Sequence, residues 1–247
     1  MSEDLSRYAR HVALREVGVH GQQLLRDSAV LVCGLGGLGC ASAQYLCAAG
    51  VGRLDLADHD RVDRSNLARQ VLYGAGDVGQ PKAPVAAARL SALNADVAVQ
   101  AHALRLDAAT LPPLVSRADV VLDCTDNFDA RFAINAACVA ARKPLVSGAA
   151  IRFGGQLAVL DARAGGACYA CLFPQAGERQ ERCEEAGILG PVAGTIGALQ
   201  ALAALKLLLG RSEDVGRLQL WDALAMSWRS VRIERDPGCP VCNRAAA

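Results

Sequence analysis

Residues 30–40, VLVCGLGGLGC, constrain the fold more than any other stretch of this 247-residue chain. A β-type apolar run ends in Gly34, Gly36 and Gly39, and a helical pattern, CASAQYLCAAG, follows at once. The spacing is G-x-G-x-x-G, in which glycine lets the backbone approach phosphate and the next helix offers its free amides. Alone that spacing is weak in a chain rich in Ala and Gly. Here Asp58 closes the next strand-like run, 19 residues past Gly39, where a carboxylate accepts ribose hydroxyls. A nucleotide is expected; the loop does not say whether it is a nicotinamide dinucleotide or a triphosphate.

The surrounding pattern extends the same architecture. Strand-like runs at SAVLVC, RLDLAD, residues 97–103, ADVVLDCTD and KPLVSGAA alternate with helical patterns at 81–93 and 128–141. Short helices are expected at 6–14 and 21–26. This is the signature of an α/β chain with a doubly wound, mostly parallel, Rossmann-like sheet. Beyond residue 150, GGQLAVL, RLQLWDA and SWRSVRIER read as antiparallel strands that extend it. One domain over 1–247 is expected, its nucleotide-binding part at 28–150 and an antiparallel, loop and zinc part at 151–247.

Net charge is +1, so no basic field for nucleic acid or an anionic membrane exists and any anion site must be local. The start, MSEDLSRYARH, lacks the apolar segment of a secretory leader. The apolar run from Val192 carries Thr195, Gln200, Lys206 and three glycines, and reads as a buried or interface helix rather than a membrane span. A cytoplasmic protein is expected, whose ten cysteines serve metal or structure rather than disulfides.

Behind Asp58, DRVDRSNLARQVLYGAGDVGQPKA gathers Arg61, Arg64, Arg69 and Lys82, with Asn66 and Gln70 as neutral donors. A dinucleotide's phosphates are handled by the loop, whereas a triphosphate of about four negative charges needs close cations. Taken singly, Arg61 and Arg64 read as solvated charges. In DCTDNFDAR, Asp123 and Asp126 follow a strand, where a carboxylate can ligate Mg²⁺. Asp126 is the better candidate, since Asp123 also suits a buried turn, and Asn127 suits the cap of the next helix. Cys168-Tyr-Ala-Cys171 and Cys239-Pro-Val-Cys242 together complete an S₄ shell for Zn²⁺, with redox dithiols as the alternative. Cys33, Cys40, Cys47, Cys124 and Cys138 lie in apolar runs as small hydrophobes. Cys183 sits between Arg182 and Glu184, which pull its thiol in opposite directions and leave its reactivity open.

In order, RYARHVALRE, GLGGLGC, DHDRVDRSNLARQ, VGQPK, DCTDN, PLVSGAAIRFGGQ, CYAC, CEEAGILGP and PGCPVC resemble the ThiF/MoeB/HesA family of E1-like activating enzymes. The likeness spans essentially the whole chain and is nearest to the molybdopterin-synthase adenylyltransferase type, with the thiamine-pathway type close behind. It implies ATP-dependent adenylation of the C-terminal glycine of a ubiquitin-like sulfur carrier ending in Gly-Gly, the molybdopterin-type carrier first, with thiocarboxylate formation to follow. It implies Gly37 beside the phosphates, Asp58 on the ribose, Arg69 and Lys82 on the phosphates and Asp126 on Mg²⁺. Arg10 would be donated across a homodimer, and the four paired cysteines would hold Zn²⁺. Cys183 matches a position where relatives carry a cysteine, reactive in some of them. A carboxylate is already ionised at neutral pH, so positioning and cations, not a base, must supply the catalysis. The expected catalytic set is Arg10, Arg69, Lys82 and Asp126, and the wider ATP set adds the four loop glycines, Asp58, Asn66, Gln70 and Asn127. Five residues follow Cys242, so a separate donor, a cysteine desulfurase or sulfurtransferase, would bring the sulfur. A thiamine, cysteine or tRNA-thiolation carrier is the alternative within the family. An NAD-dependent oxidoreductase and an inactive carrier-binding scaffold lie outside it.

Overall fold

The computed structural model describes residues 5–173 and 187–243. Its apolar runs pair into one eight-stranded sheet. Strands β1 (Ala29–Cys33), β2 (Arg53–Ala57), β3 (Ala98–His102), β4 (Val120–Asp123) and β5 (Leu145–Ile151) lie in the order β3-β2-β1-β4-β5, all parallel. Strands β6 (Gly154–Leu160), β7 (Arg217–Asp222) and β8 (Ser227–Arg232) continue the sheet antiparallel. The expected mixture is borne out, parallel core first and antiparallel extension after it.

Helices cover both faces, which is why the parallel strands read as near-continuous apolar runs. On one face Val30, Val32, Leu54 and Leu56 pack with α3 (Gly37–Ala48), α4 (Lys82–Leu93) and the long helix that follows residue 187. On the other, Leu31, Cys33 and Val121 pack with α5 (Leu111–Ser116) and α6 (Phe128–Ala140). The N-terminal segment differs from the expected single helix at 6–14. A 3₁₀ turn, Ser6–Tyr8, leads into a short α1 (Ala9–Val12), and α2 (Gly18–Arg26) starts earlier than expected, beyond a break at Gly18, whose φ is +60°.

After the short α7 (Tyr169–Leu172), the apolar run from Val192 forms α8 (Gly190–Leu208), opened by a proline in its first turn. By length and composition alone it is the one helix among the described residues able to cross a membrane. Its packing is that of a core helix. A side chain at Gly197 would meet the Leu38 carbonyl oxygen at 2.3 Å, so α8 and α3 touch backbone to backbone, and Ser42 Oγ donates to the Gly197 carbonyl at 2.9 Å. Gln200, fully buried, donates from Nε2 to the carbonyls of Asp123 (2.8 Å) and Val146 (3.1 Å), bridging β4 and β5.

Candidate active site

Sheet order reverses between β1 and β4, and in open α/β sheets the crevice at the strands' carboxyl ends beside that switch is where ligands bind. The loop after β1 turns at Gly34, whose φ of +86° favours glycine and whose N–H donates to Ala57 O at 2.8 Å. A Cβ at Gly39 would fall 1.9 Å from the Gly34 carbonyl oxygen, so the first turn of α3 presses on the loop. Gly36, at the cap of α3, is open; the nearest atom to a side chain there is Gln70 Nε2 at 3.8 Å. Gly37 differs from its expected role in one respect: the space its side chain would take is filled by Ala193 Cβ of α8 at 2.8 Å. Its bareness lets α8 approach as well as leaving its amide in the first turn of α3.

Asp58, 7% exposed and expected to hold a ribose, is bound to the glycine loop. Its Oδ2 accepts from Leu35 N at 2.7 Å and its Oδ1 from Asp60 N at 2.8 Å. Each oxygen retains a lone pair for a further donor. Asp60 in turn accepts from Lys82, the buried first residue of α4, at 3.0 Å from Nζ. Arg69 Nη1 donates to Ser65 O at 3.0 Å, while its main chain lies against Gly37 and Gly190. Asn66 is buried, and its Oδ1 is taken by Asp63 N at 3.2 Å in a capping arrangement. Gln70, 3% exposed, leaves its Oε1 with no partner. Arg61 and Arg64 are exposed, Arg61 Nη1 donating to Gly79 O at 2.7 Å, as solvated charges would be.

The two carboxylates after β4 separate cleanly. Asp123 is fully buried and occupied: Oδ1 accepts from Thr125 N (3.0 Å) and Oγ1 (2.6 Å), and Oδ2 from Ser147 Oγ (2.8 Å). Asp126 is exposed and carries no protein partner among the described residues, leaving its oxygens available to a cation. Asn127 caps α6, its Oδ1 accepting from Ala130 N at 2.9 Å. Asp58, His59 and Asp60 also bring oxygen and nitrogen within 4.8 Å, but the carboxylates of Asp58 and Asp60 are already engaged.

Among the described residues, burial favours the protonated form of the thiols beside this crevice. Burial pushes Cys40 and Cys124 up to about 12, and Cys33 is raised by burial as well. An orphaned buried acceptor at Gln70, an open notch at Gly36, a buried ammonium at Lys82 and a buried carboxylate at Asp58 fit a nucleotide with phosphates. Sequence reasoning passed over Asp60, the third residue of DHD, because only the folded chain brings it to Lys82. It also passed over Arg131, buried in α6, which donates to the carbonyls of Thr125 and, at 3.2 Å, Gly148.

Arg10 is not brought to this crevice. It is exposed on α1, which docks where α3 ends: the Tyr8 ring fills the space beside Gly50, and Tyr8 Oη accepts from Asn94 Nδ2 at 2.9 Å. The 12 residues of α3 put that end about 18 Å from the glycine loop.

The paired cysteines converge on a second site. All four sulfurs lie within 4.8 Å of one another, with Cys168–Cys239 at 3.7 Å and Cys171–Cys242 at 3.5 Å. Tetrahedral zinc spaces its sulfurs about 3.8 Å apart, so the donor set fits Zn²⁺ without rearrangement. Burial opposes ionisation of Cys239, but the amides of Cys242 and Val241 and adjacent thiols outweigh it and bring the group down to about 7. Burial, with the thiols of Cys171 and Cys239, pushes Cys242 up to about 12, so a bound cation is what lets four thiolates share the space. Cys183 lies outside the described residues.

The ThiF family model matches residues 8–241. The chain is 48% identical over 244 residues to the sulfur carrier protein ThiS adenylyltransferase of Escherichia coli (strain K12), covering 99% of this chain and 97% of that one. It is 45% identical over 243 residues to the molybdopterin-synthase adenylyltransferase of the same organism, covering 98% of each. Among solved structures, E. coli MccB with ATP superposes with a TM-score of 0.83 at 25% identity, covering 96% of this chain and 74% of that one.

Proposed function

The chain belongs to the ThiF family and is an adenylyltransferase, and from that premise we propose that it adenylates the C-terminal glycine carboxylate of a ubiquitin-like sulfur carrier with ATP. The observation that carries this reading is the crevice itself: an open glycine notch, Asp58, an unpartnered Gln70 acceptor and the Lys82 ammonium. The amides of α3 and the notch at Gly36 receive phosphate, Asp58 takes the ribose hydroxyls, and Arg69 and Lys82 balance the charge. Asn66 and Gln70 line the same pocket. Asp126 would hold Mg²⁺, which would supply charge shielding for the triphosphate and its pyrophosphate leaving group. The carrier's carboxylate oxygen bonds to the α-phosphorus as the bond to pyrophosphate breaks, and no protein base is called for. Positioning is the protein's contribution.

The four thiols hold a structural zinc that ties the C-terminal turn to the start of α7, and such a site suits a cytoplasmic setting. A homodimer supplies Arg10. Exposed Tyr45 and Leu202 border a groove of ≈ 250 Å³ between α3 and α8, lined also by His11 of α1, an apolar face that a second copy would cover. The motif resemblance puts the molybdopterin-type carrier first, while the relatives, 48% identical for the ThiS adenylyltransferase and 45% for the molybdopterin-synthase one, support the thiamine-type carrier equally.

Carrier-dependent ATP–pyrophosphate exchange with both carriers in parallel tests this. Exchange with one carrier establishes the reaction and selects the pathway. Absence of exchange with either, in folded and zinc-loaded protein, overturns the reading for both.

A further inference from the structure

Asp55 sits in the middle of β2 with no exposed surface, and nothing in the nucleotide reading uses it. It points to the face opposite its chain neighbours Leu54 and Leu56, in register with Leu31 of β1, and an unpaired carboxylate with no exposed surface is strongly disfavoured. Three nitrogen donors meet it. His102 Nε2 donates to Oδ1 at 2.7 Å, Arg53 Nε to Oδ2 at 3.0 Å, and Arg117 Nη2 lies 3.5 Å from Oδ1. Arg53 is fixed further by donating from Nη2 to the Arg117 carbonyl at 2.6 Å.

His102 is the last residue of β3, the outer strand of the sheet, where most side chains are exposed. Little apolar burial holds that strand end in place. The side chain of His102 does so through Asp55, while its carbonyl oxygen accepts the N–H of Asp58 at 3.1 Å. The buried pair therefore connects, through one backbone hydrogen bond, to the carboxylate that grips the glycine loop at Leu35.

We propose that His102, pinned by Asp55, is a positioning residue for Asp58 and so sets the enzyme's preference for an intact ribose. The proposal rests on the reading that Asp58 takes the ribose hydroxyls. His102 itself touches no nucleotide. A hydroxyl's hydrogen bond to a carboxylate contributes about ten- to 100-fold in affinity and weakens steeply when the geometry is displaced.

The test is calorimetric binding of ATP and of 2′,3′-dideoxy-ATP to the full chain, which needs no carrier. Wild type is compared with Asp58→Asn, His102→Ala and His102→Gln, each checked by thermal melting. His102→Ala should lose about ten-fold or more of the preference for ATP while binding dideoxy-ATP as before. His102→Gln should keep most of it, because its amide N–H still reaches Asp55. If His102→Ala keeps a preference that Asp58→Asn loses, the positioning role is overturned and the ribose reading stands. Equal weakening toward both nucleotides overturns it too, since general loosening does not distinguish a hydroxyl. If Asp58→Asn itself keeps the preference, the ribose reading fails and the proposal falls with it. Should His102→Ala not fold, Asp55→Asn keeps the shape and removes the charge; it must show part of the same selective loss, and an unchanged preference overturns the idea.

Discussion

Lys82 concentrates the residue-scale chemistry. Its ammonium is buried against one carboxylate, Asp60, whose own side chain is half exposed, at the first position of a helix whose free amides already favour anions. Lys82→Ala leaves Asp60 able to reach water, so the fold should survive while the proposed phosphate site loses a cation. Pyrophosphate exchange should fall by about 10²–10³-fold with an unchanged melting temperature; a loss of tenfold or less would move the catalytic charge elsewhere. Asn127 illustrates how one residue can be assigned two roles. The geometry supports the cap, so Asn127→Ala should lower stability in urea by about 1 kcal/mol and Asn127→Asp should restore it.

At the scale of elements, α8 holds the site together. It touches α3 at Gly197, fills the space beside Gly37 with Ala193, and ties β4 to β5 through Gln200. Gly197→Val would drive a side chain into the Leu38 carbonyl and push the two helices apart. Overpacking of this kind destabilises by about 2 kcal/mol, a fall of roughly 5 °C in Tm, and ATP affinity should fall with it because Gly37 rests on the same helix. The cysteine turns make a separate element-scale prediction. Metal analysis should find about one zinc per chain, lost together with thermal stability in Cys171→Ala. Folded wild-type protein free of metal at equal stability would refute the zinc assignment.

At the scale of the molecule, about 18 Å separates the α1 end of α3 from the crevice in the same chain. If Arg10 acts on a second copy's nucleotide, mixing Arg10→Ala with Asp126→Ala protein should regain exchange that neither has alone. One site of each mixed dimer carries both lesions and the other none, so recovery should approach roughly a quarter of wild type. No recovery after demonstrated subunit exchange would exclude action across the dimer.

The mixed sheet and the nucleotide crevice were legible from the chain because they depend on neighbours. Alternation of apolar residues, three glycines at a βα turn, a carboxylate at the next strand end and two C-x-x-C turns are each written within one or two elements. Choices among chemically equal groups were not. DCTDN favours Asp126 over Asp123 as a metal ligand, but only the fold shows what occupies Asp123, when Ser147 arrives from a different strand. Gly37 reads as a phosphate glycine until Ala193 arrives from the far end of the chain. Asp60 meets Lys82, and Asp55 meets His102, across 22 and 47 residues. Local sequence determined which groups this protein has at its strand ends, by period and spacing. Only the tertiary structure decided which are consumed and which are free, because that is settled by partners that chain order does not bring near.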